Sequence, residues 1–295
     1  IGVFSVYPEG MDREALKCSI QILTEAHRPL VLFPEGFITR TNNRLNHLMD
    51  GTLFIARSAA KQRAATHPPG QVVIHPVAIR YFFRGDLAQT VIPVLEEIER
   101  RLSWRPLPDK PVLDRISGVA SALLALKEIE YFGQAQSGTP DQRLSRLIDR
   151  LLAPLEQEWL KGTREGNIVS RVKALRTALL PDMISGDLSE AERARRWRQL
   201  ADIYLAQQVF CYPPDYLNPK PAPEQILETI ERFEEDLTDT VRVHRPIHAV
   251  IEVGEPLEVG PVRERGVETD PIMARLREQL ETMLARLKER NQPNK

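Results

Sequence analysis

Cysteine is nearly absent: Cys18 and Cys211 are the only two in 295 residues. Two thiols exclude a disulfide framework and a cysteine-rich metal site, and they fit a reducing compartment. An excess of either charge is absent too. Lys and Arg number 40 against 41 Asp and Glu, a net charge of -1, which argues against a dedicated nucleic-acid binder. No long apolar run occurs. The longest candidate, GVASALLAL at Gly118–Leu126, falls far short of the roughly 20 residues that span a bilayer. No Met, signal sequence or helix cap precedes Ile1, where a strand-like stretch begins at once. The chain therefore reads as part of a longer protein, with any membrane anchor upstream.

What is present starts with an echo. VFSVYPEG at Val3–Gly10 and LVLFPEG at Leu30–Gly36 are apolar runs that both end in aromatic-Pro-Glu-Gly. Between them, Asp12 is a helix cap, and Leu16, Ile20 and Leu23 share one helical face before His27–Pro29 stops the pattern. Strand, helix, strand in about 33 residues predicts a right-handed βαβ unit with parallel strands. Both Pro-Glu-Gly sequences then fall at carboxyl ends of strands, the edge where open α/β sheets bind ligands.

Further on, Leu45, Leu48, Met49, Thr52, Ile55 and Ala59 predict a helix that THPPG at Thr66–Gly70 breaks. VVIHPVAIRYFF at Val72–Phe83 reads as a strand interrupted at Pro76, which has no N–H for a ladder. From about Asp86 to about Val241 the texture is charged, Leu-rich and helical in period, with Pro and Gly punctuation that includes Pro181 and no internal repeat. Strand character returns at Ile247–Val259. A last helix begins at Asp270, with Pro271 in its first turn and Ile272, Leu276, Leu280, Met283 and Leu287 on one face. The predicted fold class is α/β, a mixed sheet flanked by helices, with a large all-helical insertion. The predicted domains are a core first part at 1–85, the insertion at 86–243, and a closing strand and helix at 244–295. An insertion of that length packs as its own lobe.

At the second echo, Pro34 stiffens the strand exit, Gly36 permits φ > 0 or close backbone approach, and Arg40 offers a fork for phosphate or carboxylate. The same residues equally make an ordinary strand-to-loop turn. Other features read as structural: His47 and His75 as helix and strand residues, RARRWRQL at Arg193–Leu200 as a solvated helix face, and Trp104, Trp159 and Trp197 as packing within the insertion.

VLFPEGFITR resembles the FPEG signature of the glycerolipid acyltransferases, the 1-acylglycerol-3-phosphate acyltransferase type. GVFSVYPEGMDR at Gly2–Arg13 is similar to that family's preceding block, VIHPVAI at Val73–Ile79 to its later apolar-Pro-Val-Ala-Ile block, and VIEVGEPLEV at Val250–Val259 to its closing strand. The four blocks stand in the family's order, and the insertion has no part in the match. The resemblance implies acyl transfer from a thioester, acyl-CoA or acyl-carrier protein, to a lysophospholipid or glycerol-phosphate hydroxyl. It implies no metal and no cofactor, a membrane surface as partner, no nucleic acid, and work at the cytoplasmic face of a membrane. Its substrate-binding residues are Pro34, Glu35, Gly36, Arg40 and Arg13. The two echoes are then distinct blocks rather than a repeat.

Two departures stand out. The family's catalytic His-x4-Asp is missing, because His27, His47, His67, His75, His244 and His248 are followed five positions on by Leu32, Thr52, Val72, Arg80, Ala249 and Val253. No catalytic residue is thus assigned within the chain, and the motif is expected upstream of Ile1. Pro8 also stands where the first block carries an arginine, which leaves Arg13, and the helix start it lies on, as the nearest anion contact. The alternative is a non-catalytic lipid-binding or scaffold protein on the same fold.

Overall fold

The computed structural model describes the whole chain except residues 1, 5, 7–11, 39–40, 163–165, 187, 214, 218–219, 264–265, 267–268 and 291–295. It divides the chain into two compact units. One joins the first 84 residues, apart from 8–10, to Arg245–Lys295, and the other holds Gly85–His244.

The first unit contains α1 (Arg13–Glu25), α2 (Gly51–Ala64), β1 (Val73–Ile74), β2 (Val77–Phe83), β3 (Ile247–Val253), β4 (Leu257–Glu258) and α9 (Pro271–Arg290). The chain breaks between β1 and β2 at His75 and Pro76, as the missing proline N–H requires. Each strand finds an antiparallel partner from the other end of the sequence: β1 pairs with β4, and β2 with β3 in the register Val77↔Val253 to Phe83↔Ile247. The even-numbered face of this ribbon meets α9, where Ala78 joins Met273, Leu276, Leu280, Met283 and Leu287 in one apolar cluster with Leu48 and Leu53. In a second cluster α2 buries Ala56, Ala59 and Ala60 against Val72 and Val259, with Ile20 and Leu23 of α1 packed alongside.

This arrangement overturns the predicted α/β class. Among the described residues the chain is mostly helical, with two separate two-stranded sheets and no parallel pairing. The βαβ unit does not form: described residues of 2–6 and all of 30–33 carry no strand. A strand requires a neighbour for its N–H and C=O groups, and these runs have none among the described residues. Val3 is 92% exposed and Phe33 79%. The helix predicted from Leu45 begins only at Gly51, because the backbone of Met49 is taken by Pro34.

The second unit holds α3 (Leu87–Arg101), α4 (Val112–Phe132), α5 (Pro140–Leu160), α6 (Ile168–Ser185), α7 (Glu190–Phe210) and α8 (Pro223–Thr238). Leu147, Leu151, Leu152 and Leu155 of α5 pack with Val172, Leu175 and Leu179 of α6 and Ile203, Ala206 and Val209 of α7. Pro181 lies inside α6 rather than ending it. The burial of Leu179 and Met183 on either side offsets the one backbone bond that proline removes.

Arginine forks join successive helices of this unit. Arg115 of α4 donates to Glu99 of α3 at 2.8 and 2.9 Å, and Arg143 of α5 to Glu128 of α4 at 2.9 and 2.7 Å. Arg171 of α6 grips Glu156 of α5 at 2.8 and 3.1 Å, and Arg196 of α7 reaches Asp182 of α6 at 2.9 Å. Arg196 is buried and lies 4.6 Å from the ring of Trp159, so this part of RARRWRQL is an anchored face and not a solvated one. Trp104 and Trp197 are exposed, contrary to their expected packing role.

Candidate functional site

Phe33 to Gly36 form a turn that the Gly36 N–H closes onto the Phe33 carbonyl at 3.2 Å, with Pro34 at the first central position that its fixed φ suits. Gly36 has φ +75°, and a Cβ there would stand 2.2 Å from Met49 Sδ. Only glycine meets both conditions without strain. Met49 is drawn in by its own N–H, which donates to the Pro34 carbonyl at 2.8 Å.

Glu35 is held from the same loop. Its Oε2 accepts from the Asn46 N–H at 3.1 Å and from Asn46 Nδ2 at 2.8 Å. Asn46 Nδ2 also reaches Thr41 Oγ1 at 3.3 Å. Arg277 on α9 then fixes the loop backbone, donating from Nη1 to the Asn46 carbonyl at 2.8 Å and from Nη2 to that of Leu45 at 3.2 Å. Asn42, earlier in the loop, spans the outer edge of β2. Its Nδ2 donates to the Tyr81 carbonyl at 2.7 Å and its Oδ1 accepts the Tyr81 N–H at 2.8 Å. One loop therefore ties the turn to both the ribbon and α9.

Of the residues expected to bind substrate, Pro34, Glu35 and Gly36 stand together in this turn. Arg40 lies outside the described residues, as do Pro8 and Glu9 of the first echo. Arg13 is exposed in the first turn of α1, behind the cap in which the Ala15 N–H donates to Asp12 Oδ1 at 2.9 Å. His47 is exposed in the loop, not in a helix, and His75 is exposed in the break between β1 and β2. Sequence reasoning did not single out Asn42, Asn46 or Arg277, and it placed Met49 only in a helical pattern. The Asn42-Asn43 pair in a polar loop was the one available signal, and Arg277 is separated from Glu35 by more than 200 residues.

A charge pair joins α2 to Asp270, the residue before α9. Arg57 Nη2 donates to Asp270 Oδ1 and Oδ2 at 3.0 and 2.7 Å, and its Nη1 reaches the carbonyls of Gly260 and Val262 at 2.9 and 2.7 Å. Burial pushes the Asp270 carboxyl upward, but the Arg57 fork and the Ile272 N–H outweigh it and hold it below the usual carboxylate range. No group of His, Cys, Asp and Glu able to hold a metal ion occurs among the described residues, and no described helix is long and apolar enough to cross a membrane.

Compared with family models, curated proteins and solved structures, the chain gives no significant match to any of them.

Proposed function

We propose that this chain carries the acceptor-binding side of a glycerolipid-type O-acyltransferase. The reaction moves a fatty acyl group from acyl-CoA or acyl-carrier protein to the hydroxyl of a lysophospholipid or glycerol phosphate, at the surface of a membrane. The observation that carries this reading is the construction of the FPEG turn. Its glutamate is fixed by Asn46, and its glycine is required by Met49. A binding turn depends on such support. The reading is strengthened by the chain's other family-like segments: Val77–Ile79 on β2 pairs with Ile251–Val253 on β3 within the same unit.

In this reading Gly36 lets an acceptor approach the backbone closely, Glu35 orients the turn, and Arg40 and Arg13 supply positive charge for a phosphate. No metal or prosthetic group is called for. The general base comes from outside these residues, since none of the six histidines is part of a His-x4-Asp sequence. The test supplies labelled acyl-CoA and lysophosphatidate, then acyl-carrier protein and glycerol phosphate, to the longest product of the reading frame. Acyl transfer is expected with one pair, and Gly36→Ala is expected to lower kcat/KM by about tenfold or more. Failure with both pairs sinks the enzymatic reading.

Pro8, standing where the family's first block carries an arginine, favours a second reading, a non-catalytic lipid-binding or scaffold protein. Titration calorimetry that detects lysophosphatidate binding to a product without turnover selects it.

A further inference from the structure

Among the described residues the β2–β3 ribbon leaves one edge open along its whole length. Its internal ladder uses even-numbered residues, as the flanking bonds show: Gly254 N–H to the Pro76 carbonyl at 2.8 Å, and Arg84 N–H to that of Pro246 at 3.0 Å. The N–H and C=O groups of odd-numbered residues therefore point away from the ribbon. On β2 this outer edge is closed at Tyr81 by the Asn42 side chain, which imitates a neighbouring strand. On β3 the backbone groups of Ile247, Ala249, Ile251 and Val253 have no partner among the described residues. The strand reads IHAVIEV, without a lysine, a proline or a bulge to discourage pairing. Its odd-numbered side chains are exposed, Ile251 and Val253 at 63% each.

We propose that β3 pairs with β3 of a second copy of this chain, antiparallel across a two-fold axis at Val250. Among self-pairings, this register engages all seven residues of the strand. Ile251 then lies opposite the partner subunit's Ala249, and Ile247 opposite the partner subunit's Val253. On the other face, His248 lies opposite the partner subunit's Glu252. That last pair answers a local deficit, because Glu252 Oε2 is buried and accepts no hydrogen bond from the described residues. Arg286 meets Oε1 of the same carboxylate, and Arg290 Nη1 is 4.0 Å from Oε2. Side chains at such directly opposed, non-hydrogen-bonded positions have Cβ atoms about 5 Å apart, within reach of an imidazole. α9, the helix packed on this ribbon, leaves room for the pairing. α9 packs chiefly over β2, and β2 and its copy are separated by three strand spacings, about 14 Å, more than the 8–10 Å that packed helices need.

The inference is independent of the acyl-transfer reading, and its test is the oligomeric state. Light scattering or sedimentation equilibrium on the 295-residue chain, up to about 100 μM, is expected to show a concentration-dependent dimer. Ala249→Pro removes an N–H that the ribbon itself does not use, a place where an edge strand tolerates proline. It is expected to weaken association by about tenfold or more with an unchanged circular dichroism spectrum. If that variant misfolds, His248→Glu, which sets like charges opposite one another, is expected to weaken the dimer several-fold. Register is read by Val250→Cys in a Cys18→Ser, Cys211→Ser background. Self-pairing sets these Cα atoms about 4.5 Å apart, within disulfide range, so a crosslinked dimer is expected on oxidation. A monomer at every concentration overturns the proposal, including one that binds phospholipid vesicles through this face. So does a dimer that neither Ala249→Pro nor His248→Glu weakens and that Val250→Cys does not crosslink.

Discussion

Gly36 holds a positive φ while Met49 Sδ occupies the space of its absent side chain, so two separate penalties attend any substitution there. Gly36→Ala is expected to destabilise the first unit by about 1–3 kcal/mol, from the left-handed backbone and the displaced thioether. Met49→Ala in the same chain relieves the second penalty but not the first. The double variant should therefore lose less than the sum of the two single losses in thermal denaturation. Asp270 offers a pH-dependent counterpart. Its carboxyl is held below the ordinary range by the Arg57 fork once burial is overcome. The stability it contributes is fully present above the unfolded carboxylate pKa of about 4, and is lost as the pH falls through the lower folded value. Asp270→Asn should flatten the acid limb of a melting-temperature profile below about pH 4. Arg57→Met, which leaves Asp270 buried and unpaired, should cost about 3 kcal/mol near neutral pH.

At the scale of single elements, pairing separates the runs that became strands from those that did not. Val31 and Phe33 are as apolar as Val77 and Ile79, yet only the latter pair has a ladder partner, supplied by Ile251 and Val253. β-propensity marks a segment as able to pair without naming its neighbour. The ribbon's outer boundary rests on one side chain. Asn42→Ala should remove protection from the Tyr81 amide in hydrogen exchange, and lower stability by about 1 kcal/mol through loss of two bonds. An unchanged Tyr81 exchange rate would show that Asn42 does not close the edge. Helices were more legible: Asp12 caps α1 at the predicted place and α9 begins beside Asp270, which accepts the Ile272 N–H, because a cap is a local arrangement of side chain and backbone. The same local view misplaced the start of α2, since the bond from Met49 to Pro34 is a contact between segments.

Across the molecule, each of the two units has its own buried core, and the α5–α6–α7 core of the second shares no residue with the clusters under α9 and α2. Leu175→Ala removes a fully buried side chain and should cost about 2–5 kcal/mol. Hydrogen exchange should show that loss across α5, α6 and α7 while α9 keeps its protection. Loss of protection in α9 as well would mean that the units unfold together.

Composition and period determined much on their own. Amphipathic spacing announced the helices from Asp86 to Val241, Pro76 announced the break between β1 and β2, and the Pro34-Glu35-Gly36 turn was visible as a tight, glycine-dependent exit. Those properties depend on residues within a turn or two of one another. Only the tertiary structure decided that the sheets are small and antiparallel, that Asn46 and Met49 brace the turn, and that buried arginines clamp successive helices. Each of those depends on which distant segment arrives as a neighbour. Hydrophobic period records how much surface a segment must bury, and leaves open the partner that buries it.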